Sequence, residues 1–226
     1  MTYAALPAAV LWDMDGTIVD TEPYWFAAET DLIAEYGGTW THEDALSLIG
    51  SRLPSTAQAL IAAGVTLTVD EVLDRVAARL VAAQADGPPW LPGAQELLVA
   101  LQAAGVPQAL VTSSYRNVVG PVMDSGLLVT AVVGDEVFPG KPEPEPYLEA
   151  ARRLGVDITG CVVVEDSPTG VAAGLAAGAH VLAVEGFRTV PDDPRLSRTD
   201  SLVHVTVADL AEIASGAVLD LRGAAA

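Results

Sequence analysis

Two aspartates, Asp13 and Asp15, stand one residue apart behind an apolar run, with Gly16 and Thr17 after them, in VLWDMDGTIVD at 10–20. Side chains at i and i+2 of a strand share one face, and like charges held close repel. A fold tolerates such a pair cheaply where water or a cation lies between them. Three further groups carry matching chemistry. VTSS at 111–114 offers the hydroxyls of Thr112, Ser113 and Ser114, GKPEPEPY at 140–147 offers Lys141, and EDSPTG at 165–170 offers Glu165 and Asp166. Carboxylate oxygens are what Mg²⁺ prefers, usually one or two from the protein, completed by water and substrate phosphate; Asp13 and Asp166 suit that role. Hydroxyls and backbone N–H groups at a helix start bind phosphate oxygens, and the Lys141 ammonium adds a point charge.

These groups can meet only if the fold brings them to one edge. AAVLWDM at 8–14, QALVTSS at 108–114, AVV at 131–133, CVVVED at 161–166 and HVLAVEG at 180–186 read as strands. Between them, 93–105, 114–126, 144–155 and 167–179 carry apolar residues at helical spacing with a glycine near each end. Apolar strands alternating with helices predict an α/β fold, a Rossmann-like parallel sheet covered on both faces. In such a sheet ligands bind beyond the carboxyl ends of the strands, where all four groups lie. From about 22 to 86 the alternation stops. Four helical patterns run to the Pro/Gly-rich joint DGPPWLPG at 86–93. The expected division is an α/β core of 1–18 and 89–226 with a helical cap inserted at 19–88.

In this order and spacing, DMDGT, VTSS, KPEPEPY and EDSPTG resemble the four motifs of the haloacid dehalogenase superfamily, and the insert resembles its small helical cap. The likeness extends to about residue 190. It implies a Mg²⁺-dependent reaction in which Asp13 is the nucleophile toward phosphorus and Asp15 the general acid/base. Thr112, Ser113 and Lys141 would then bind phosphate. Asp13, Asp15, Asp166 and Glu165 form the implied metal set, with Glu165 a ligand or an outer partner. Within the family, Asp15 argues against dehalogenases, which lack it. The lysine-free cap excludes phosphonate cleavage through a Schiff base. Trp25 stands where beta-phosphoglucomutases typically carry a histidine, although the Asp20–Thr21 step is shared. The reading that results is a phosphomonoester hydrolase acting on a small phosphorylated sugar, polyol or acid. A phosphosugar mutase is the alternative, and a non-catalytic phosphate-sensing or interaction protein is the alternative of another class.

Bulk properties narrow the partners. A net charge of −19 on 226 residues repels nucleic-acid backbones. No apolar stretch reaches the ~20 residues of a membrane span, and the first ten residues carry no basic segment of a secretory signal. The single cysteine, Cys161, permits no disulfide within the chain and reads as a buried small hydrophobe. The expectation is a cytoplasmic monomer. For substrate contact, Thr21, Trp25 and Arg52 in the cap, and Arg116 and Asn117 after the second strand, are candidates. His42, His180 and His204 lack metal-ligand spacing and receive no role. The calcium-loop reading of DxDG fails, because Gly16 falls at position 4 of such a loop rather than 6.

Overall fold

The computed structural model describes residues 5–48, 53–186 and 189–223. Arg52 lies outside them. Their strands are β1 (Ala9–Trp12), β2 (Gln108–Val111), β3 (Thr130–Val132), β4 (Cys161–Glu165), β5 (His180–Val184) and β6 (Leu196–Thr199). They form one sheet in the order β3-β2-β1-β4-β5-β6, every pairing parallel. The first five correspond to the five apolar runs. Residues of β1, β2 and β4 are buried throughout, which is why their sequences do not alternate with polar residues. Two apolar clusters, one per sheet face, take alternate residues of each strand: Val10 and Trp12 on one side, Ala9 and Leu11 on the other. The Trp12 indole N–H donates to Gln108 Oε1 at 3.0 Å, satisfying both buried polar groups across the β1–β2 pair.

Helices cover both faces. They are α5 (Ala94–Ala103), α6 (Gly120–Met123), α7 (Glu145–Leu154), α8 (Pro168–Ala177) and α9 (Val207–Ala214). The helix α8 has Ser167 as its cap, accepting from the Gly170 N–H at 3.0 Å, and Pro168 in its first turn. Two findings depart from the sequence reading. The helix expected at 114–126 shrinks to α6, because Pro121 has no N–H to continue a helix begun upstream and is tolerated only in a first turn. The strand β6 and helix α9 lie in a stretch for which no element was expected. Its strand, LSRT, is polar in composition, yet Arg198 is buried. Arg198 donates to Glu185 at 2.9 Å and to the Pro191 carbonyl at 2.8 Å.

Between β1 and β2 come α1 (Glu22–Glu35), α2 (His42–Leu48), α3 (Leu53–Ala62) and α4 (Val69–Ala83). Leu32, Leu60, Val72, Val76 and Leu80 form a third apolar cluster separate from the two on the sheet. Thr68 and Glu71 close a capping box at the start of α4. The chain leaving β1 and the chain returning to the sheet pair with each other: the Asp20 N–H donates to Pro89 O, and the Leu91 N–H to Ile18 O, both at 2.9 Å. No helix among the described residues is long and apolar enough to cross a membrane.

Candidate active site

Strand order reverses between β1 and β4, and at that point a crevice opens beyond the carboxyl ends. Asp13 comes directly after β1, Thr112 after β2 and Asp166 after β4, so three of the four motifs arrive there by topology alone. They line a cavity of about 730 Å³, together with Asp15, Ser113, Ser114 and Lys141 on the sheet side and residues of α1, α2 and α3 opposite. That volume suits a small metabolite.

Asp13 lies at the centre of the sheet side. Its Oδ1 accepts from Lys141 Nζ at 2.6 Å and its Oδ2 from the Thr17 hydroxyl at 3.1 Å. The same hydroxyl lies 3.2 Å from Asp166 Oδ1, so one hydroxyl hydrogen faces two carboxylates. The Lys141 side chain is only 4% exposed, and it donates also to Glu165 Oε1 at 2.5 Å and to the Val111 carbonyl at 2.8 Å. Burial works against its ammonium, but the Asp13 and Glu165 carboxylates outweigh it and push its pKa above the usual lysine value. For Asp13 the balance runs the other way. Burial first, then the Glu165 charge, hold its carboxyl well above the carboxylate range despite Lys141.

Oxygens of Asp13, Glu165 and Asp166 come within 4.8 Å of one another. Glu165, however, is committed within the protein. Its Oε1 takes Lys141 and the Tyr147 hydroxyl (2.9 Å), and its Oε2 takes the Ser167 N–H (3.0 Å) and hydroxyl (2.9 Å). It does not line the cavity. Its geometry is that of a clamp on Lys141 and on the start of α8. Gly170 is required beneath it, since a Cβ there would fall 1.6 Å from Glu165 Oε1. Gly16 is required for a different reason: its φ is +83°, and a Cβ would meet Asp166 Oδ2 at 2.5 Å.

Asp15 stands apart from the three-carboxylate group. It does not share a strand face with Asp13, because β1 ends at Trp12 and the chain turns. Its Oδ2 accepts from the Ser114 hydroxyl at 2.7 Å, and its Oδ1 from the Thr21 hydroxyl and from the Trp25 indole N–H at 3.5 Å. Thr21 and Trp25 thus line the cavity and also hold Asp15. Thr112 accepts from the Ser114 N–H at 3.0 Å, which shapes the turn that presents Ser113 and Ser114. Arg116 and Asn117 point elsewhere. The guanidinium of Arg116 pairs with Glu136, and the Asn117 amide donates to Asp74 of α4 at 3.4 Å; neither lines the cavity. The contacts of Thr17, Ser114 and Tyr147 were not foreseen from sequence, although all three lie inside or beside the quoted motifs. Cys161 is buried as expected, and burial pushes its thiol up to about 11.

The chain matches the haloacid dehalogenase-like hydrolase family over residues 10–184. It belongs to that family. It is 36% identical over 201 residues to hexitol phosphatase A of Escherichia coli, covering 86% of this chain and 89% of that one. With the phosphoglycolate phosphatase of Xylella fastidiosa it shares 30% identity over 210 residues, 88% of this chain and 90% of that one. Among solved structures, CbbY from Rhodobacter sphaeroides in complex with phosphate superposes with a TM-score of 0.77 at 25% identity, covering 88% of this chain and 96% of that one. The α/β fold is thus that of the family.

One buried carboxylate has no place in the motifs. Glu29 of α1 lines the cavity opposite Asp13, and its Oε2 accepts from the Trp40 indole N–H at 3.0 Å. Burial pushes its carboxyl from the usual 4.5 up to about 7, with Trp40 holding it back in part. Between those values the folded chain keeps a proton that the unfolded chain releases, so this group costs stability as pH rises from about 5 to about 8. Relative to wild type, Glu29→Gln is expected to gain stability across that window, by up to about 3 kcal/mol. Urea unfolding of both proteins at the two ends of the window measures it. A pH-independent difference would show that Glu29 titrates like a solvated carboxylate.

Proposed function

We propose that the protein is a Mg²⁺-dependent phosphomonoester hydrolase of small phosphorylated metabolites, with 19–88 serving as a cap over the 1–18 and 89–226 core. The observation that carries this reading is Asp13, held by Lys141 and Thr17 at the mouth of the crevice beside the Thr112–Ser114 turn. The named phosphatases among its relatives support it. An ordered carboxylate facing a phosphate-binding turn is equipped to attack phosphorus, which splits transfer into two easier steps.

The residues fit a hard divalent cation. Among the described lining residues Lys141 is the sole lysine or arginine, against Asp13, Asp15 and Asp166 on the sheet side. A phosphate ester would meet net repulsion there. The raised Asp13 carboxyl and the single Thr17 hydrogen facing two carboxylates both mark unbalanced negative charge. Asp13 and Asp166 would hold Mg²⁺, an all-oxygen donor set of the kind it takes. When bound it supplies charge neutralisation for the phosphoryl oxygens.

The chain's own residues do the rest. Lys141, fixed by Glu165, places a positive charge beside the attacking carboxylate, and Thr112 and Ser113 orient phosphoryl oxygens. As the Asp13 oxygen bonds to phosphorus, the bond to the leaving oxygen breaks and Asp15 gives that oxygen a proton. Asp15 then takes a proton from water as the water oxygen attacks phosphorus, releasing phosphate and restoring Asp13. Ser114, Thr21 and Trp25 keep Asp15 in one orientation for both transfers. Hydrolysis of p-nitrophenyl phosphate is expected to stop in EDTA and to return with Mg²⁺. Full activity in EDTA would overturn the metal-dependent reading. Conversion of a hexose 1-phosphate to the 6-phosphate without release of phosphate would replace the hydrolase with a mutase.

A further inference from the structure

The side of the cavity opposite the motifs is built from α1, α2 and α3, where Phe26, Ala45, Leu46, Leu48 and Leu53 are apolar and Glu22, Glu29, His42 and Thr56 are polar. Of these polar side chains, Glu29 is the buried carboxylate. It is 5% exposed, and Trp40 is its only hydrogen-bond partner among the described residues, on Oε2. No donor among those residues reaches Oε1, which is left to the cavity that Glu29 lines. Removing most of a carboxylate from water is costly, and a leucine would fill the position without that cost.

Its position relative to the reacting end is set by helix geometry. Thr21, Trp25 and Glu29 are spaced i, i+4, i+8 and lie along one face of α1. Thr21 and Trp25 contact Asp15. Glu29 stands about 6 Å beyond Trp25 and about 12 Å beyond Thr21 along the axis. Asp13, Asp15 and Glu29 line one cavity, so the carbon chain of an ester whose leaving oxygen is at Asp15 can extend along α1 to Glu29.

We propose that Glu29 accepts a hydrogen bond from a hydroxyl of the leaving group, so that the cavity selects neutral, polyhydroxylated phosphate esters over phosphate esters of small carboxylic acids. This rests on the phosphomonoesterase reading above and names the substrate class within it. The neighbours of Glu29 agree. A polyol presents C–H faces to Phe26 and the leucines and keeps its hydroxyls for Glu29. Above the raised titration range of Glu29, a carboxylate-bearing leaving group would instead bring a second anion against a buried one. A hydroxyl also satisfies Glu29 in either protonation state, since it both donates and accepts, whereas an ammonium suits only the ionised form.

The experiment compares kcat/KM for a hexitol 6-phosphate, 2-phosphoglycolate and phosphoethanolamine in Mg²⁺ buffer at about pH 8.5, where Glu29 is ionised, for wild type and Glu29→Gln. The ratio of hexitol phosphate to phosphoglycolate is expected to fall about 10- to 100-fold in the variant, since a charge-assisted bond is lost on one substrate and a repulsion on the other. An unchanged ratio, with both substrates falling together or neither moving, would give Glu29 a structural role only and overturn the proposal. A loss confined to phosphoethanolamine would make it a cation site, which overturns it too. If Glu29→Gln does not fold, Glu29→Asp withdraws the carboxylate by one methylene, and the same ratio must fall. Wild-type turnover of p-nitrophenyl phosphate separates this question from the one beneath it. Its absence removes the phosphatase reading and this inference together, while its presence with a flat ratio removes this inference alone.

Discussion

Asp13→Asn is expected to lower phosphatase turnover by at least about 10³-fold while leaving the fold intact. The amide matches the carboxylate in shape. Its oxygen can still accept from Lys141, and its NH₂ can face the Thr17 oxygen, so the contacts that position the side chain survive. The negative charge that attacks phosphorus disappears. The stability readout goes in the opposite direction to the activity. Burial and the Glu165 charge disfavour the ionised Asp13 carboxylate, so a neutral group there relieves repulsion in the metal-free protein. Calorimetric unfolding in EDTA should therefore show Asp13→Asn at least as stable as wild type. Residual turnover above about 1% of wild type would remove Asp13 as nucleophile. A beryllofluoride complex supplies the positional check, with beryllium expected on an Asp13 oxygen and not on Asp15.

For Asp15→Asn the expected loss is about 10²- to 10⁴-fold, the usual worth of a general acid/base. The distinguishing measurement is metal affinity. Asp15 is not among the three carboxylates whose oxygens cluster, and its own oxygens are taken by Ser114, Thr21 and Trp25. Mg²⁺ titration by calorimetry should consequently give similar affinity for wild type and Asp15→Asn, and a weakened one for Asp166→Asn. If Asp15→Asn loses the metal as well as the rate, Asp15 is a ligand and the proton carrier must be sought elsewhere. Leaving-group dependence adds a second test. An acid matters most where the departing alkoxide is basic, so the variant should lose more on an alkyl phosphate than on p-nitrophenyl phosphate.

Residue types and order alone determined a good deal about this protein. Five apolar runs separated by helical patterns dictate a buried parallel sheet, because only strands covered on both faces can be apolar throughout. A parallel sheet in turn delivers the residues at its strands' carboxyl ends to one edge. Asp13, Thr112 and Asp166 were legible for that reason: a strand end is a local feature, and their chemistry is carried by their own side chains. Lys141, which follows β3 at a distance, was legible as the one lysine of the chain. The helix expected at 114–126 was misread, because apolar spacing there is helical while Pro121 confines α6 to Gly120–Met123.

Tertiary structure decided the rest, because it depends on which oxygen faces which donor. Sequence neighbours with similar chemistry were sorted to different tasks. Asp166 faces the cavity, while Glu165, one residue earlier on a strand whose side chains alternate, turns beneath it to clamp Lys141. Asp15 was drawn away from Asp13 by a turn and given to Ser114, which is 99 residues distant in sequence. Arg116 and Asn117, adjacent to the phosphate-binding turn in the chain, were drawn off by Glu136 and Asp74. The strand β6 exists because buried Arg198 finds Glu185 and backbone carbonyls to offset its charge, and those partners come from a separate segment. Glu29 shows the limit most plainly. In the sequence it is one acidic residue among 30, on a segment that reads as a helix. Only the packing of α1 against the cavity and of Trp40 against its carboxylate removes it from water, and desolvation by distant neighbours is a property that no local pattern carries.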